Sequence, residues 1–331
     1  MADGKPIIFS GIQPTGRKHL GNFIGAIRQY VTGQDRGDPA IFCVVDLHSI
    51  SVPYDPEDLR ERVLDTAAIL LAAGLDPERC IFFRQADVRE HTEMTWYLSA
   101  VTAHGDLDRM TQFKEKTGSA RELASAALFY YPVLMAADVL VYRGNEVPVG
   151  EDQSQHVELM REIARRFNAR FGETLVVPEL VLPKVGARIM DLQEPDRKMS
   201  TTGGTPQGTV LVLDEEKTIR KKVGSAVTDS GREVRAAPDK PGVTNLIDIL
   251  AVARGTGREE IEREFDGVGY GDFKAAVADG VVELLAPVRE RYEELRPDEA
   301  ALEATLTAGA EKARAIASVT VADVRERMGF G

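Results

Sequence analysis

A polar turn near the start of the chain, residues 11–22 (the opening turn), holds the first residues whose types and spacing could do chemistry. Gly11 stands near the end of an apolar run, Gly16 follows that run, and His19 and Asn22 stand where a helix begins. Glycine lets the backbone approach a ligand closely. The first turn of a helix directs unpaired N–H groups and a partial positive charge at the preceding loop, which suits a phosphate group. An ordinary turn with a helix cap explains the same residues, so the stretch alone leaves both interpretations open.

A lysine and a carboxylate elsewhere in the chain are the next candidates. Lys198 lies in a polar, glycine-rich stretch, residues 195–204 (the signature loop), which alone could be any surface loop. Asp138 follows Met135 by three residues in an apolar run, a spacing that puts both side chains on one face of a helix. A carboxylate buried in such a run needs a polar partner. It could cap a helix, pair with an arginine or bind a ligand.

Alternating strand-like and helical patterns must position these side chains. The strand-like runs are residues 7–12, 41–46, 80–85 and 146–149, and the helical patterns between them include residues 23–31, 56–73 and 92–104. This order predicts an α/β protein whose parallel sheet has helices on both faces. In such sheets ligands bind at the carboxyl ends of the strands, where the opening turn lies.

The second half of the chain has a different residue pattern. Pro178 and Pro183 punctuate a predicted loop region, and a Gly- and Thr-rich stretch covers residues 200–208. Apolar residues then recur at helical spacing over residues 247–253, 259–265, 273–285 and 302–316. The sequence therefore predicts a helical half after the α/β half.

Composition restricts the class of protein. The 331 residues are 43% hydrophobic, enough for a large core in two or three domains. No run of 18 apolar residues and no apolar signal segment occur, which predicts a cytoplasmic protein. Cys43 and Cys80 stand in apolar runs and are expected to be buried, reduced thiols. No metal-ligand spacing occurs, so no metal site is predicted.

Net charge argues against nonspecific nucleic-acid binding. The formal charge of −12 repels a phosphate backbone at long range. Two groups of basic residues could still bind a specific nucleic acid, although a solvated helix face is the simpler interpretation of each. They are Arg161, Arg165, Arg166 and Arg170 in one helical pattern, and Arg220, Lys221 and Lys222 in another.

Two short motifs are far more specific together than alone. H-L-G-N (residues 19–22) and K-M-S (residues 198–200) resemble the paired signatures of the class I aminoacyl-tRNA synthetases. F-S-G-I-Q-P-T-G (residues 9–16) resembles the N-terminal signature of the bacterial tryptophanyl-tRNA synthetases. Further segments resemble the same family in order along nearly the whole chain: D-L-H-S-I (46–50), R-M-T-Q-F-K-E-K (109–116), Y-P-V-L-M-A-A-D (131–138), V-P-V-G-E-D-Q-S-Q-H-V-E-L (147–159), K-V-G-A-R-I-M (184–190) and S-A-V-T-D-S (225–230).

The resemblance implies the fold, the domains and the setting. A Rossmann-like, parallel-sheet catalytic domain would span residues 1–205, with a helical insertion at about 88–145. An α-helical anticodon-binding domain would span residues 206–331, and its C-terminal helix could pack back on the catalytic domain. The family works as a homodimer in the cytoplasm, without a membrane or DNA.

The implied activity is that of a tryptophan–tRNA ligase. L-Tryptophan and ATP would form tryptophanyl-adenylate and pyrophosphate, and the tryptophanyl group would then pass to tRNA(Trp). Magnesium would be bound mainly through the ATP phosphates, since no carboxylate cluster suggests a protein site. The residues implied in ATP binding are Gln13, Thr15, Gly21, Asn22, Gly150, Asp152, Gln153, Ile189, Lys198, Met199 and Ser200.

In the implied tryptophan site, Asp138 accepts the indole N–H. Phenylalanine would leave that carboxylate unpaired, and such sites discriminate by roughly ten-thousandfold or more. Phe9, Met135, Val147 and Val149 would form the walls of the site, although ordinary core packing explains each of them as well. The full set is Phe9, Gly11, Gln13, His48, Tyr131, Met135, Asp138, Val147, Val149 and Gln153.

Activation moves no proton, so the resemblance implies catalysis by positioning and charge neutralisation. Lys116 or Lys114 would close over the phosphates, but either could equally be a solvated charge. Glu151, next to Asp152, is better explained as a residue that favours the first turn of a helix. The residues implied in the activation step are Lys198, His19, Asn22, Gln13 and Lys116.

The sequence departs from the family at the second signature, where Thr201 and Thr202 stand in place of lysine and serine. A charged hydrogen bond is worth roughly 1.5–3 kcal/mol, so its loss predicts about ten- to a hundredfold slower activation unless Lys116 compensates. Three alternatives stay open: a slower, auxiliary tryptophanyl-tRNA synthetase, a non-catalytic paralogue that binds tryptophan or a partner protein, and a tyrosyl-tRNA synthetase. Retention of the other signature residues argues against the paralogue, and Met135 before Asp138 favours indole over phenol.

Overall fold

The computed structural model describes residues 7–37, 39–111, 125–150, 153–181, 188–201 and 203–331. Within these ranges, five parallel strands form one sheet in the order β3-β2-β1-β4-β5. They are β1 (Ile8–Ile12), β2 (Ala40–Val44), β3 (Ile81–Arg84), β4 (Glu146–Pro148) and β5 (Glu179–Val181). The strand order reverses between β1 and β4, and ligands bind at such a point in open α/β sheets.

Four of the five strands are the predicted ones, with ends that differ by one or two residues. The prediction of a loop after Pro178 is wrong over the three residues of β5. This strand lies at the sheet edge, where Glu146 of β4 pairs with Glu179. A strand of three residues is too short to show a period of two, and the neighbouring proline disguises it further.

The sheet is apolar on both faces. Ile8 and Phe42 belong to the hydrophobic cluster on one face, whereas Phe9 and Cys43 belong to the cluster on the other. Successive strand residues point to opposite faces, which explains why the strands read as continuous apolar runs. Cys43 and Cys80 are buried free thiols, which confirms that prediction.

Helices cover both faces of the sheet. The helices of the first half are α1 (Leu20–Asn22), α2 (Arg28–Asp35), α3 (Pro56–Ala72), α4 (Glu90–Ser99), α5 (His104–Asp108), α6 (Ala126–Leu140) and α7 (Ser154–Phe171). A π-helical turn, Phe23–Ile27, joins α1 to α2, and 3₁₀ helices span Asp46–Ser51 and Gln85–Asp87. The helix predicted over residues 92–104 is interrupted, because α4 ends at Ser99 and α5 begins at His104.

The second half is helical, as predicted. Its helices are α8 (Glu216–Gly224), α9 (Pro241–Arg254), α10 (Arg258–Glu264), α11 (Tyr270–Leu295) and α12 (Glu299–Met328). The long helix α12 returns to the sheet, where Ala310, Ala313 and Val324 are buried in the cluster that contains Phe9. Among the described residues, no helix has the length and apolar character that crossing a bilayer requires.

Candidate active site

The opening turn begins a helix through reciprocal hydrogen bonds between His19 and Asn22. The backbone N–H of Asn22 donates to Nδ1 of His19 at 3.3 Å, and the backbone N–H of His19 donates to Oδ1 of Asn22 at 3.1 Å. This capping box satisfies two donors that the first turn would otherwise leave unpaired. The helix-cap interpretation of these residues is therefore correct, and it does not exclude a role toward a ligand.

His19 is buried and carries no charge at neutral pH. Burial is the main cause that lowers the pKa of its imidazole from 6.5 to about 4, and the positive charges of Lys198 and Lys18 lower it further. Because Nδ1 accepts a hydrogen bond, the ring proton lies on Nε2. His19 can therefore donate one neutral hydrogen bond to a phosphate, but it supplies no positive charge.

A buried lysine that the sequence analysis missed supports the opening turn from inside. The ammonium of Lys18 donates to the carbonyl oxygen of Gln13 at 2.6 Å and lies 3.5 Å from that of Thr15. Burial, followed by the charge of Arg62, lowers the pKa of Lys18 to about 8. The bonds hold the backbone while the Gln13 and Thr15 side chains stay exposed. A lysine that stands between Arg17 and His19 in a polar turn gives no sequence pattern that predicts burial.

The signature loop places Lys198 opposite Met190. These two residues form an antiparallel bridge, flanked by hydrogen bonds from Asp191 N–H to the Arg197 carbonyl (2.8 Å) and from Met199 N–H to the Ile189 carbonyl (3.0 Å). Ile189 and Met199 are buried, whereas Lys198 is exposed. The short ladder therefore directs its two apolar side chains inward and presents the lysine at the surface.

Asp191 anchors the signature loop at both ends. Its fully buried carboxylate accepts hydrogen bonds from the backbone N–H groups of Gln193 (2.8 Å), Glu194 (3.1 Å) and Thr205 (3.0 Å). A carboxylate that accepts several backbone donors holds a loop firmly. No sequence motif selects Asp191, although an acidic residue beside a Pro- and Gly-rich loop suits such turns.

The opening turn and the signature loop lie side by side. Gly16 has a positive φ of 62°, and a Cβ atom on it would come within 2.7 Å of the Thr201 hydroxyl oxygen. The N–H of Leu20 donates to the Val210 carbonyl at 2.8 Å, which ties the chain beyond the signature loop to the first helix. Together with the effect of Lys198 on the pKa of His19, these contacts bring the two motifs to one place.

A cavity of about 830 Å³ opens beside this junction. It is lined by Thr15, Gly16, Arg17, Ser200 and Thr201, among others. Arg62 and Lys222 add further positive charge to its wall, and Asp55 and Asp214 add negative charge. Thr15 and Ser200 belong to the predicted ATP set. None of the residues predicted to bind tryptophan, all of which are described, lines this cavity.

Asp138 lies in a buried network among the residues of the cluster that contains Phe9, whereas Leu20 and Met199, from the opening turn and the signature loop, belong to the cluster on the other face of the sheet. Its Oδ2 accepts from Nε2 of His48 at 2.8 Å, and its Oδ1 accepts from Nε2 of Gln85 at 2.6 Å and Nδ1 of His91 at 2.7 Å. The far nitrogen of His91 lies 2.7 Å from the Tyr142 hydroxyl. Burial alone raises the pKa of Asp138, but bonds and charge from His48 and His91 outweigh it and lower the pKa to about 2.

This network corrects one premise of the sequence analysis. Asp138 does not depend on a ligand for a partner, since His48, Gln85 and His91 already donate to it. A carboxylate has about four acceptor sites, and three of them are used here. Asp138 can still accept one further donor, but a ligand without that donor would leave only one site empty. Rejection of phenylalanine would therefore be weaker than for an unpartnered carboxylate.

The aromatic and apolar residues of the predicted tryptophan set gather in the cluster around Asp138. Phe9, Tyr131 and Val147 are buried there, and Met135 and Val149 lie partly exposed at its margin. The set also includes Gly11, exposed near the end of β1, and Gln153, half-buried just before α7. Phe9 stacks on Tyr142 with ring centroids 5.7 Å apart, and Tyr131 hydrogen-bonds His156 at 2.8 Å.

The remaining predicted residues divide into two groups. Gly21 lies in α1, and Gly150 follows β4 after one intervening residue, Val149. Lys114, Lys116, Glu151, Asp152 and Thr202 lie outside the described residues. Gln85, His91 and Tyr142 are not among the residues predicted from the sequence. Gln85 follows β3 directly, at the carboxyl edge of the sheet, and this position is the one signal that favours it.

Comparison with known proteins decides the family. Residues 1–286 match the family described as tRNA synthetases class I (W and Y). The chain belongs to this family of class I tRNA synthetases. The parallel sheet with its switch point is accordingly the Rossmann-like fold of the class, followed by a helical region.

Similar proteins extend over nearly the whole length of this class I synthetase. The tryptophan–tRNA ligase 2 of Streptomyces avermitilis is 49% identical over 333 residues, which cover 100% of this chain and 98% of the relative. The crystal structure of a tryptophanyl-tRNA synthetase from Mycoplasma pneumoniae has a TM-score of 0.91 at 34% identity and covers 99% of this chain and 98% of that one. The Campylobacter jejuni enzyme, complexed with ADP and tryptophan, has a TM-score of 0.81 at 34% identity, with 98% and 99% covered.

Proposed function

We propose that this synthetase is a tryptophan–tRNA ligase that activates L-tryptophan with ATP and transfers the tryptophanyl group to tRNA(Trp). The observation that carries the proposal is the meeting of the opening turn with the signature loop after strand β1, in a chain that also holds a buried carboxylate, Asp138, with one acceptor site left. The names of the relatives support the same activity. The chain retains Lys198, which lies near His19, and this argues against a non-catalytic paralogue that only binds tryptophan or a partner protein.

Activation requires charge and position rather than proton transfer. The tryptophan carboxylate attacks the α-phosphorus of ATP, and pyrophosphate leaves with the bonding electrons. The neutral His19 donates Nε2–H to a phosphate oxygen, and the N-terminal turn of α1 contributes its partial positive charge. Lys198 approaches from the signature loop and neutralises charge on the leaving group. Gln13 and Thr15, exposed on a backbone that Lys18 holds, position the substrates between these groups.

Recognition of tryptophan depends on the remaining acceptor site of Asp138. The indole N–H donates to the carboxylate, whose ionised state the low pKa maintains. Met135 and Val149 contact the ring from the margin of the cluster, and Tyr131 and Gln153 hold the amino acid's polar end. His48 fixes the carboxylate in the required orientation.

The substrates and setting follow from the activity. Within the described residues, no group of three or more His, Cys, Asp or Glu side chains could hold a metal ion, so we propose that magnesium enters with the ATP phosphates. We further propose a catalytic domain over residues 1–205, an anticodon-binding helical domain over residues 206–331, a homodimer and a cytoplasmic location. The presence of Thr201 in the signature loop supports an auxiliary form of the enzyme.

Exchange of labelled pyrophosphate into ATP tests the proposal. The expected result is exchange that depends on tryptophan and is not supported by tyrosine. Exchange with tyrosine instead would identify a tyrosyl-tRNA synthetase. Tryptophan binding without any exchange would identify a binding protein, and either result would overturn the proposal.

A further inference from the structure

Asn245 connects the helical region to the signature loop. It lies in the first turns of α9, and only 3% of its surface is exposed. Its Oδ1 accepts from the backbone N–H of Met190 at 2.9 Å, and its Nδ2 donates to the Met190 carbonyl at 3.0 Å. The side-chain amide of Asn245 therefore pairs with both the backbone N–H and the backbone C=O of Met190, as a neighbouring β-strand would.

Met190 is the residue that faces Lys198. The two form the central pair of the short antiparallel ladder, and the flanking bonds of Asp191 and Met199 lock their register. Asn245 thus holds the inner strand of the ladder from one side while the lysine-bearing strand lies on the other. A displacement of Met190 would be passed directly to the backbone of Lys198.

The start of α9 is itself fixed in place. A Cβ atom on Gly242 would lie 2.1 Å from the carbonyl oxygen of Val227, so the helix packs directly on the S-A-V-T-D-S segment (residues 225–230). The N–H of Val227 donates to the Leu192 carbonyl at 2.8 Å, and Lys240, the residue before the helix, donates to Asp229 at 3.0 Å. The backbone that carries Asn245 is therefore held in place by the 225–230 segment.

We infer that Asn245 is a positioning residue for the activation step, which sets the place of Lys198 by holding Met190. The inference rests on the proposed function and adds to it a residue outside the signature motifs. A misplacement of about 1 Å at a reacting group can cost roughly a hundredfold in rate. Asn245 contacts no reacting atom, so its effect must pass through Lys198.

Kinetics of tryptophan-dependent pyrophosphate exchange test the inference with Asn245→Ala. The expected result is a fall in kcat of about ten- to a hundredfold, with the KM for tryptophan changed by less than about twofold. Thr244→Val is the matched control: the neighbouring side chain bonds Ala237 and not the ladder, and its kcat is expected to stay within about twofold.

A double-mutant cycle separates positioning from a general structural role. In a Lys198→Ala background, Asn245→Ala is expected to cause less than about a twofold further loss. An equal loss in both backgrounds, a KM for tryptophan that rises in step with the lost rate, or unchanged kinetics of Asn245→Ala would overturn the inference.

Asn245→Asp keeps the shape and the acceptor for the Met190 N–H but loses the donor to its carbonyl. The same two criteria apply to this variant if the alanine variant fails to fold. Failure of the proposed function gives a different result, since the unaltered protein would then lack tryptophan-dependent exchange altogether.

Discussion

The phosphate side and the indole side of the site are built in opposite ways. On the phosphate side, an exposed Lys198 and an uncharged His19 meet where two loops touch, beside a large open cavity. On the indole side, Asp138 is buried with two imidazoles and an amide, and three of its four acceptor sites are filled. Function on the first side depends on position, and on the second side function and stability depend on the same bonds.

The difference follows from what each substrate part requires. The triphosphate of ATP brings its own charge; it enters with ATP, and part of it leaves as pyrophosphate. Such a ligand suits exposed loops whose backbone is held from inside by Lys18 and Asp191. An indole ring brings one weak donor, so its partner must be oriented in advance by a rigid network. Variants on the two sides should therefore separate activity from stability.

Lys198→Ala should show the largest effect on activity. Removing one charged group aimed at developing negative charge typically costs about a hundred- to a thousandfold in kcat. The side chain is exposed, so the free energy of unfolding should change by less than about 0.5 kcal/mol. Pyrophosphate exchange and urea unfolding measure the two quantities. Exchange within threefold of the unaltered protein would remove Lys198 from the activation step.

Asp138→Asn should affect both quantities. The amide places an N–H₂ donor against either His48 or the pair Gln85 and His91, and breaking one partner of a buried charged network costs about 3–5 kcal/mol. The KM for tryptophan should rise about tenfold or more through the weakened indole bond, while the KM for ATP stays unchanged. Urea unfolding and exchange kinetics with each substrate varied provide the check. Loss of stability with an unaltered KM for tryptophan would make the network purely structural.

These two sides also differ in how far the sequence predicts them. The turn and the loop were predicted because glycines, a cap and a lysine stand in short contiguous motifs that follow apolar strands. The partners of Asp138 were not, since Gln85 and His91 lie 53 and 47 residues away along the chain and no local pattern records such a bond. The same reason applies to Lys18, whose low pKa comes from burial in the folded protein and from the charge of Arg62, far away along the chain. Lys116 and Asp152 stay predictions.

The pH dependence of stability should separate His19 from Asp138. Above pH 6.5 the imidazole of His19 is neutral in the folded and in the unfolded protein. Below pH 6.5 this imidazole is protonated in the unfolded chain, but in the folded protein it stays neutral down to about pH 4. Stability therefore falls as pH drops through this window, by about 2 kcal/mol between pH 7 and pH 5. Asp138, with a pKa lowered from 3.8 to about 2, contributes stability above pH 3.8 and loses it only as pH falls toward 2.

Urea unfolding of His19→Asn at pH 7 and pH 5 checks the first window. Asparagine keeps a good helix cap but does not titrate, and all other groups titrate equally in both proteins. The variant should lose about 2 kcal/mol less than the unaltered protein between these pH values. Parallel losses in the two proteins would mean that His19 is protonated in the folded state.

Thr201→Lys should give the smallest effect on activity, and it is the one substitution expected to raise the rate of pyrophosphate exchange. Thr201 lies against Gly16 on the wall of the 830 Å³ cavity, so a lysine there has room to extend toward the phosphates. A restored charged hydrogen bond, worth roughly 1.5–3 kcal/mol, should raise the exchange rate about tenfold, partly offset by repulsion from Arg17 and Arg62. Thr201→Met matches the length without the charge and should leave the rate unchanged. If both variants exchange at the rate of the unaltered protein, the missing lysine is not what limits activation, and the phosphate side is already complete with Lys198 and the helix terminus.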